Sequence, residues 1–271
     1  VKAITDFAKA IELDPRNADA YQRRGNAYCE KGNFDRAISD FTKAIELNPN
    51  DAIAYGNRGR AHYNKGNLDE SITDCSKAIE LDPSLAIAYI NRGNAYDDKH
   101  QLDEAISDYN QAIKLAPRFA SAYYNRGVAY SRAGVYDLAI SDFDRAIRLS
   151  PLDPLAHAHR GIAHANQGDY DRAITDLSNA IKLEPDLAGT YATRGFVYMQ
   201  EKKYGLAISD FNQAIELEPN QPGHYMNRSQ AHRRNGDIEQ ADTDYWMAQR
   251  IKKKNKNWNS LFLKVLDWEI K

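Results

Sequence analysis

Residues 120–153 read ASAYYNRGVAYSRAGVYDLAISDFDRAIRLSPLD. One segment carries Tyr123, Gly127 and Tyr130 at helical spacing, a second carries Ala139, Phe143 and Ala146, and Gly134 and Pro151 punctuate them. That pattern predicts two short amphipathic helices joined by a glycine turn and stopped by a proline. A shift of 34 residues either way brings Tyr123 onto Tyr89 and Tyr55, Gly127 onto Gly93 and Gly161, Ala139 onto Ala105 and Ala173, and Pro151 onto Pro117 and Pro185. A fixed period of this size marks a stacked helical repeat, in which no unit buries its apolar side alone and each leans on the next.

Working outward, Ala3, Phe7, Ala10 and Pro15 align with Ala139, Phe143, Ala146 and Pro151. Residues 1–17 therefore read as the second helix of a truncated repeat, with the true start of the chain and any targeting segment expected before Val1. Seven repeats follow over residues 18–250, beginning near Ala18, Ala52, Ala86, Ala120, Pro154, Ala188 and Pro222, and residues 251–271 read as a basic linker and a capping helix. A helix-interior glycine costs about 1 kcal/mol relative to alanine. The recurrence of Gly25, Gly59, Gly93, Gly127, Gly161 and Gly195 thus calls for an offsetting close approach, expected from the small Ala37 or Ala139 of the second helix. Gly32, Gly66, Gly134, Gly168 and Gly236 fall where a left-handed helix cap is wanted; His100 and Lys202 replace that glycine, which predicts slight strain in two turns.

The composition narrows the function classes. The 271 residues carry a formal charge of -2 with 27% charged side chains, a balance that argues against a general polyanion binder, and no apolar run approaches the roughly 18 residues of a membrane-spanning helix. Cys29 and Cys75 sit in different repeats, so neither a disulfide framework nor a metal pair is indicated, and Cys75 stands at a packing position. His157 and His164 take columns where other repeats have tyrosine, and His159 lies two residues from His157, on another side of a helix; core substitution is the expected role, not metal binding. No catalytic triad, phosphate loop or carboxylate pair stands out. The expectation is a non-enzymatic chain with no metal and no cofactor, its compartment open with a cytoplasmic setting favoured.

Two columns repeat without exception. An arginine precedes each first-helix Gly or Ser, at Arg24, Arg58, Arg92, Arg126, Arg160, Arg194 and Arg228, and an aspartate recurs in the second helices from Asp6 and Asp40 to Asp244. Their fixed register predicts a ladder of ion pairs between packed helices that sets alignment rather than recognition.

The 34-residue period, the Tyr/Gly/Tyr first helix, the Ala/Phe/Ala second helix and the closing proline together resemble the tetratricopeptide repeat family over about residues 1–250. Tyrosine or His157 stands where that family usually has tryptophan. The resemblance implies an all-α, right-handed superhelical solenoid whose first helices line a concave groove that holds a partner protein or extended peptide. It also implies that Asn57, Asn91, Asn125 and Asn227, with Arg23, His159 and Thr193 in the same column, project into the groove and hydrogen-bond a ligand's main chain. A carboxamide both donates and accepts, which suits that task; a solvated polar helix face is the alternative. One turn on lie Asn26, Arg60, Asn94, Val128, Ile162, Phe196 and Gln230, polar and basic at first and apolar over residues 128–196, which fits a ligand polar or acidic at one end and hydrophobic at the other. The two-carboxylate clamp of chaperone-binding members is disfavoured. Asn26 with Asn57, or Asn94 with Asn125, match two of its places, but Gln22 or Ile90 and Ile87 or Ser121 stand where its lysines belong.

The last stretch differs. Arg233, Arg234, Arg250, Lys252, Lys253, Lys254 and Lys256 make it locally basic, a solvated helix end or a site for an acidic partner, nucleic acid or import factor. Behind Asn257, the residues Trp258, Leu261, Phe262, Val265 and Leu266 fall at helical spacing without the repeat's Gly and Ala columns. That predicts a helix capping the solenoid, with self-association through it left open. The leading expectation is an adaptor that binds a protein or extended peptide in its groove. The recruiting arm of a larger enzyme and a self-associating scaffold are the alternatives, while membrane and nucleic acid binding are disfavoured.

Overall fold

The computed structural model describes residues 2–254, and among them it holds fifteen α-helices and no strand. The expected capping helix, residues 258–270, lies outside the described residues. Contacts divide the chain into two compact units, Val1–Leu149 and Ser150–Lys271. The first contains α1 (Lys2–Leu13), α2 (Ala18–Glu30), α3 (Phe34–Leu47), α4 (Ala52–Lys65), α5 (Leu68–Leu81), α6 (Ala86–Asp98), α7 (Leu102–Leu115), α8 (Ala120–Arg132) and α9 (Tyr136–Leu149). The second contains α10 (Pro154–Asn166), α11 (Tyr170–Leu183), α12 (Ala188–Gln200), α13 (Tyr204–Leu217), α14 (Pro222–Asn235) and α15 (Ile238–Lys254).

Local chemistry fixes these boundaries. Asn17, Asn33, Asp51, Asp153 and Asp169 cap helix starts by accepting a hydrogen bond from a backbone N–H in the first turn, and Pro154 and Pro222 occupy the first turn of α10 and α14, where a missing N–H is harmless. Five turn glycines have φ between +71° and +93°. His100 and Lys202 are forced to φ +60°, a conformation that costs a residue with a Cβ, so the two turns are strained as expected.

Each unit is built as a solenoid of helix pairs. The second helix of each pair buries one stripe, in α3 Ala37, Asp40, Phe41 and Ala44 and in α13 Ala207, Asp210, Phe211 and Ala214. Every first helix packs on its own second helix, and within a unit the first helices also touch one another in succession, α2 to α4 to α6 to α8 and α10 to α12 to α14. Second helices touch the first helix of the following pair instead. One face of each unit is consequently made of first helices alone.

The mid-helix glycines do mark close approach, but the main body in the gap is not the expected alanine. A Cβ on Gly25, Gly93, Gly127 or Gly195 would meet the ring of Phe41, Tyr109, Phe143 or Phe211 at 2.7–2.8 Å, and one on Gly59 would meet Cys75 Sγ. The alanine column also comes near, as where Ala173 O lies 3.1 Å from a Cβ on Gly161. Those rings are fully buried. Ser229 breaks the row: its hydroxyl donates to Ala241 O at 2.6 Å, and Tyr245, at the ring position of that pair, is 39% exposed.

Candidate functional site

The arginine column is structural machinery. Each of the seven grips the aspartate 16 residues later through two bonds, with Nε at 2.7–2.8 Å and Nη2 at 2.5–2.8 Å. The planar guanidinium matches the carboxylate bidentately, and the Asp hydrogen bond holds these arginines above their ordinary pKa, as at Arg58 and Arg194. A third nitrogen, Nη1, reaches back 16 residues to the preceding second helix, from Arg58 to Thr42, Arg92 to Ser76, Arg126 to Asn110, Arg194 to Ser178 and Arg228 to Asn212. The guanidinium also lies 5.5–5.8 Å from the centre of the tyrosine one turn earlier in six of the seven. One side chain thus ties three helices together.

The asparagine column sits beside this ladder, on the face of first helices. In the first unit Asn91 is buried, its amide directed to Gly56 O of α4 at 3.4 Å. Asn125 donates to Asn94 Oδ1 at 2.8 Å, and the Tyr109 hydroxyl donates to the same oxygen at 2.8 Å. Both carboxamides therefore turn toward the preceding first helix. Asn57 is half-buried, and Arg23 is exposed and pairs with Asp19 at 2.7 Å. In the next column Arg60 donates to Asn26 Oδ1 at 3.4 Å and Val128 is half-buried.

A third column, Cys29, Tyr63, Asp97 and Ser131, completes this face, and the sequence reading passed over it. Its one available signal was position, three residues beyond Asn26, Arg60, Asn94 and Val128 on the same helix side. Asp97 is buried and accepts from Arg132 Nη1 at 2.7 Å, and burial raises its pKa. Burial, followed by a hydrogen bond to Asp98, pushes the Tyr63 phenol up to about 12. With Asp97 and Asp98 beside Arg132, and Arg60 beside Asn26, the face of the first unit carries both signs of charge.

The second unit presents a different face. Ile162 and Phe196 are half-buried, Leu155 is 46% exposed, and Gly189 and Gly223 have open space where a side chain would stand. His159 and Asn227 are half-buried, and the Thr193 hydroxyl donates to Gly189 O of its own helix at 2.8 Å. Where α14 meets α15, a cleft opens between Met226, Gln230 and Arg233 on one side and Asp242, Tyr245 and Trp246 on the other. Trp246 is 68% exposed.

The remaining reactive side chains are absorbed by packing. His157 places a ring nitrogen 3.2 Å from Pro151 O, as the Tyr89, Tyr123 and Tyr225 hydroxyls do with Pro83, Pro117 and Pro219 O. Burial lowers the pKa of His62 and His164 and raises the Cys75 thiol to about 12. Among the described residues no group of three metal-ligating side chains comes together, and no helix is long and apolar enough to cross a membrane.

This geometry defines a helical-repeat solenoid with an open first-helix face. The description "TPR repeat" matches residues 25–66, 59–99, 93–134 and 165–202, and "Tetratricopeptide repeat" matches residues 7–39, 120–152 and 188–221. The chain belongs to the tetratricopeptide repeat family, whose members are typically protein-interaction scaffolds. Among solved structures it is similar to the APC/C hetero-tetramer Cut9-Hcn1 (TM-score 0.73, 23% identity, 97% of this chain and 51% of that one), so it spans about half of that protein. It is also similar to a tetratricopeptide repeat protein from Parabacteroides merdae (TM-score 0.69, 21% identity, 92% and 96%). A third neighbour is YrrB, described as a TPR protein with an unusual peptide-binding site (TM-score 0.56, 28% identity, 68% and 95%). Comparison with curated proteins gives no match.

Proposed function

We propose that this chain is a non-catalytic interaction scaffold that holds an extended segment of a partner protein on its first-helix face. The observation that carries this reading is the direct stacking of first helices within each unit, which gathers Asn57, Asn94 and Asn125 on one side while the strong Arg–Asp pairs stay sealed between helices. The peptide-binding description of YrrB supports it at the level of the family. Asn57 and Asn125 are the residues to test; Asn91, being buried against Gly56, belongs to the support. A peptide selected from a displayed random library binds the wild type, and the Asn57→Ala, Asn125→Ala variant binds it about tenfold more weakly by calorimetry, as expected for the loss of one or two hydrogen bonds, with a melting temperature lowered by no more than a few degrees through the lost Asn125–Asn94 bond. Equal affinity removes the asparagines from recognition. Exposed Ile238, Tyr245 and Trp246 favour a second use of the molecule, cover of this end by residues 258–270 or by another copy.

A further inference from the structure

Eight carboxylates in the described residues are at least nine-tenths buried, and seven of them, from Asp40 to Asp244, are gripped on both oxygens by the arginine ladder. Asp97 is the eighth and is handled differently. It is 7% exposed, one oxygen takes a single bond from Arg132, and Oδ1 has no hydrogen-bond partner in the protein. A carboxylate out of water with most of its lone pairs unused is expensive to keep. The repeat does not need it, because the equivalent place in other repeats holds Cys29, Tyr63, Ser131, Ala165, Met199 or Arg233. Its present partner is also an incomplete match. The Arg132 side chain is 45% exposed and makes one end-on bond, where each ladder arginine makes two to its aspartate.

The surroundings fit a cation. Asp98 follows on the same helix, 3.9 Å from Arg132 and hydrogen-bonded to the Tyr63 hydroxyl of α4. Ser131 of α8, one residue before Arg132, is a second buried oxygen without a partner. Two carboxylates, a buried hydroxyl and an aromatic ring are thus carried by the successive helices α4, α6 and α8, and among the described residues Arg132 makes the ion pairs with both carboxylates.

We propose that Asp97 anchors a basic side chain, a lysine ammonium or arginine guanidinium, carried by the segment bound on the first-helix face, and that Arg132 keeps its seat when the segment is absent. This rests on the peptide-binding reading above. An incoming guanidinium can engage both oxygens of Asp97, which Arg132 does not. The exchange releases Arg132 to water, where a half-exposed arginine is already at home.

The test selects peptides from a displayed random decapeptide library on the full chain and compares each with its norleucine version, in which the basic residue is replaced. Selected sequences share one Lys or Arg at a fixed place. Asp97→Asn lowers their affinity about tenfold or more, the scale of a lost charge-assisted bond, and binds the norleucine version no worse than the wild type does. Arg132→Ala strengthens binding of the basic peptide. Should Asp97→Asn fold poorly, Asp97→Ser and Asp97→Ala copy Ser131 and Ala165 and serve instead. Selected peptides without a shared basic residue, or undiminished affinity in the Asp97 variants, overturn the anchor. If the Asn57, Asn125 variant still weakens those same peptides, the groove reading stands without it; a selection that yields no peptide removes both.

Discussion

The two units share one scaffold and differ in the surface it carries. In each, the same arginine ladder, the same glycine-to-ring contacts and the same proline stops recur at a 34-residue spacing. On the first-helix face, the first unit carries polar pairs, Arg60 with Asn26, Asn125 with Asn94 and Asp97 with Arg132, whereas the second carries Leu155, Ile162 and Phe196, with open space at Gly189 and Gly223. The difference teaches where information lies in such a chain. The arginines and aspartates that clamp the helices keep one residue type in every pair, whereas the first-helix face changes its chemistry from unit to unit, and that is where selection of a ligand can be written.

That division can be broken experimentally, and the shared lattice gives the largest effect. Arg126→Met in the first unit and Arg194→Met in the second each leave a buried aspartate without its cation, and each lowers stability by about 3 kcal/mol in urea unfolding. Arg24→Met costs less, because Ala8 stands where the backward acceptor would be. If Arg126→Met left stability intact and abolished binding instead, the separation of scaffold from recognition would be wrong. A smaller loss follows from Gly127→Ala, whose new methyl lies 2.8 Å from the Phe143 ring. Overpacking outweighs the better helix propensity by about 1 kcal/mol, and thermal melts read a lower transition. The smallest effect is a gain. His100→Gly and Lys202→Gly relieve the same φ +60° strain, one in each unit, and each raises stability by about 1 kcal/mol. Unequal gains would show that the turns are not equivalent.

Much of this was legible in the residues because repetition amplifies a weak signal. A single glycine in a helix says little, but six at one register, each followed 16 residues later by a ring, Cys or Leu, place two helices in contact. The identity of the contact was harder to read. Gly127 pointed to a close neighbour, yet the sequence offered both Ala139 and Phe143, and only the tilt between helices decides for the ring. The asparagine column was visible, whereas the commitment of Asn91 to Gly56 O and of Asn125 to Asn94 depends on spacing between successive first helices. Asp97 went unnoticed for the opposite reason. Its column, Cys29, Tyr63, Asp97, Ser131, never repeats a residue type, and a search for periodicity is blind to places where the period carries no message.

The backward reach of ladder arginines such as Arg126 bears on how such a chain can grow or shrink. Both of its anchors lie 16 residues away, one upstream and one downstream, so duplicating or deleting a whole 34-residue block joins old donors to equivalent acceptors without a new fitting being invented. An insertion inside a helix, by contrast, turns the residues beyond it to another face and takes an arginine out of register with one of its anchors.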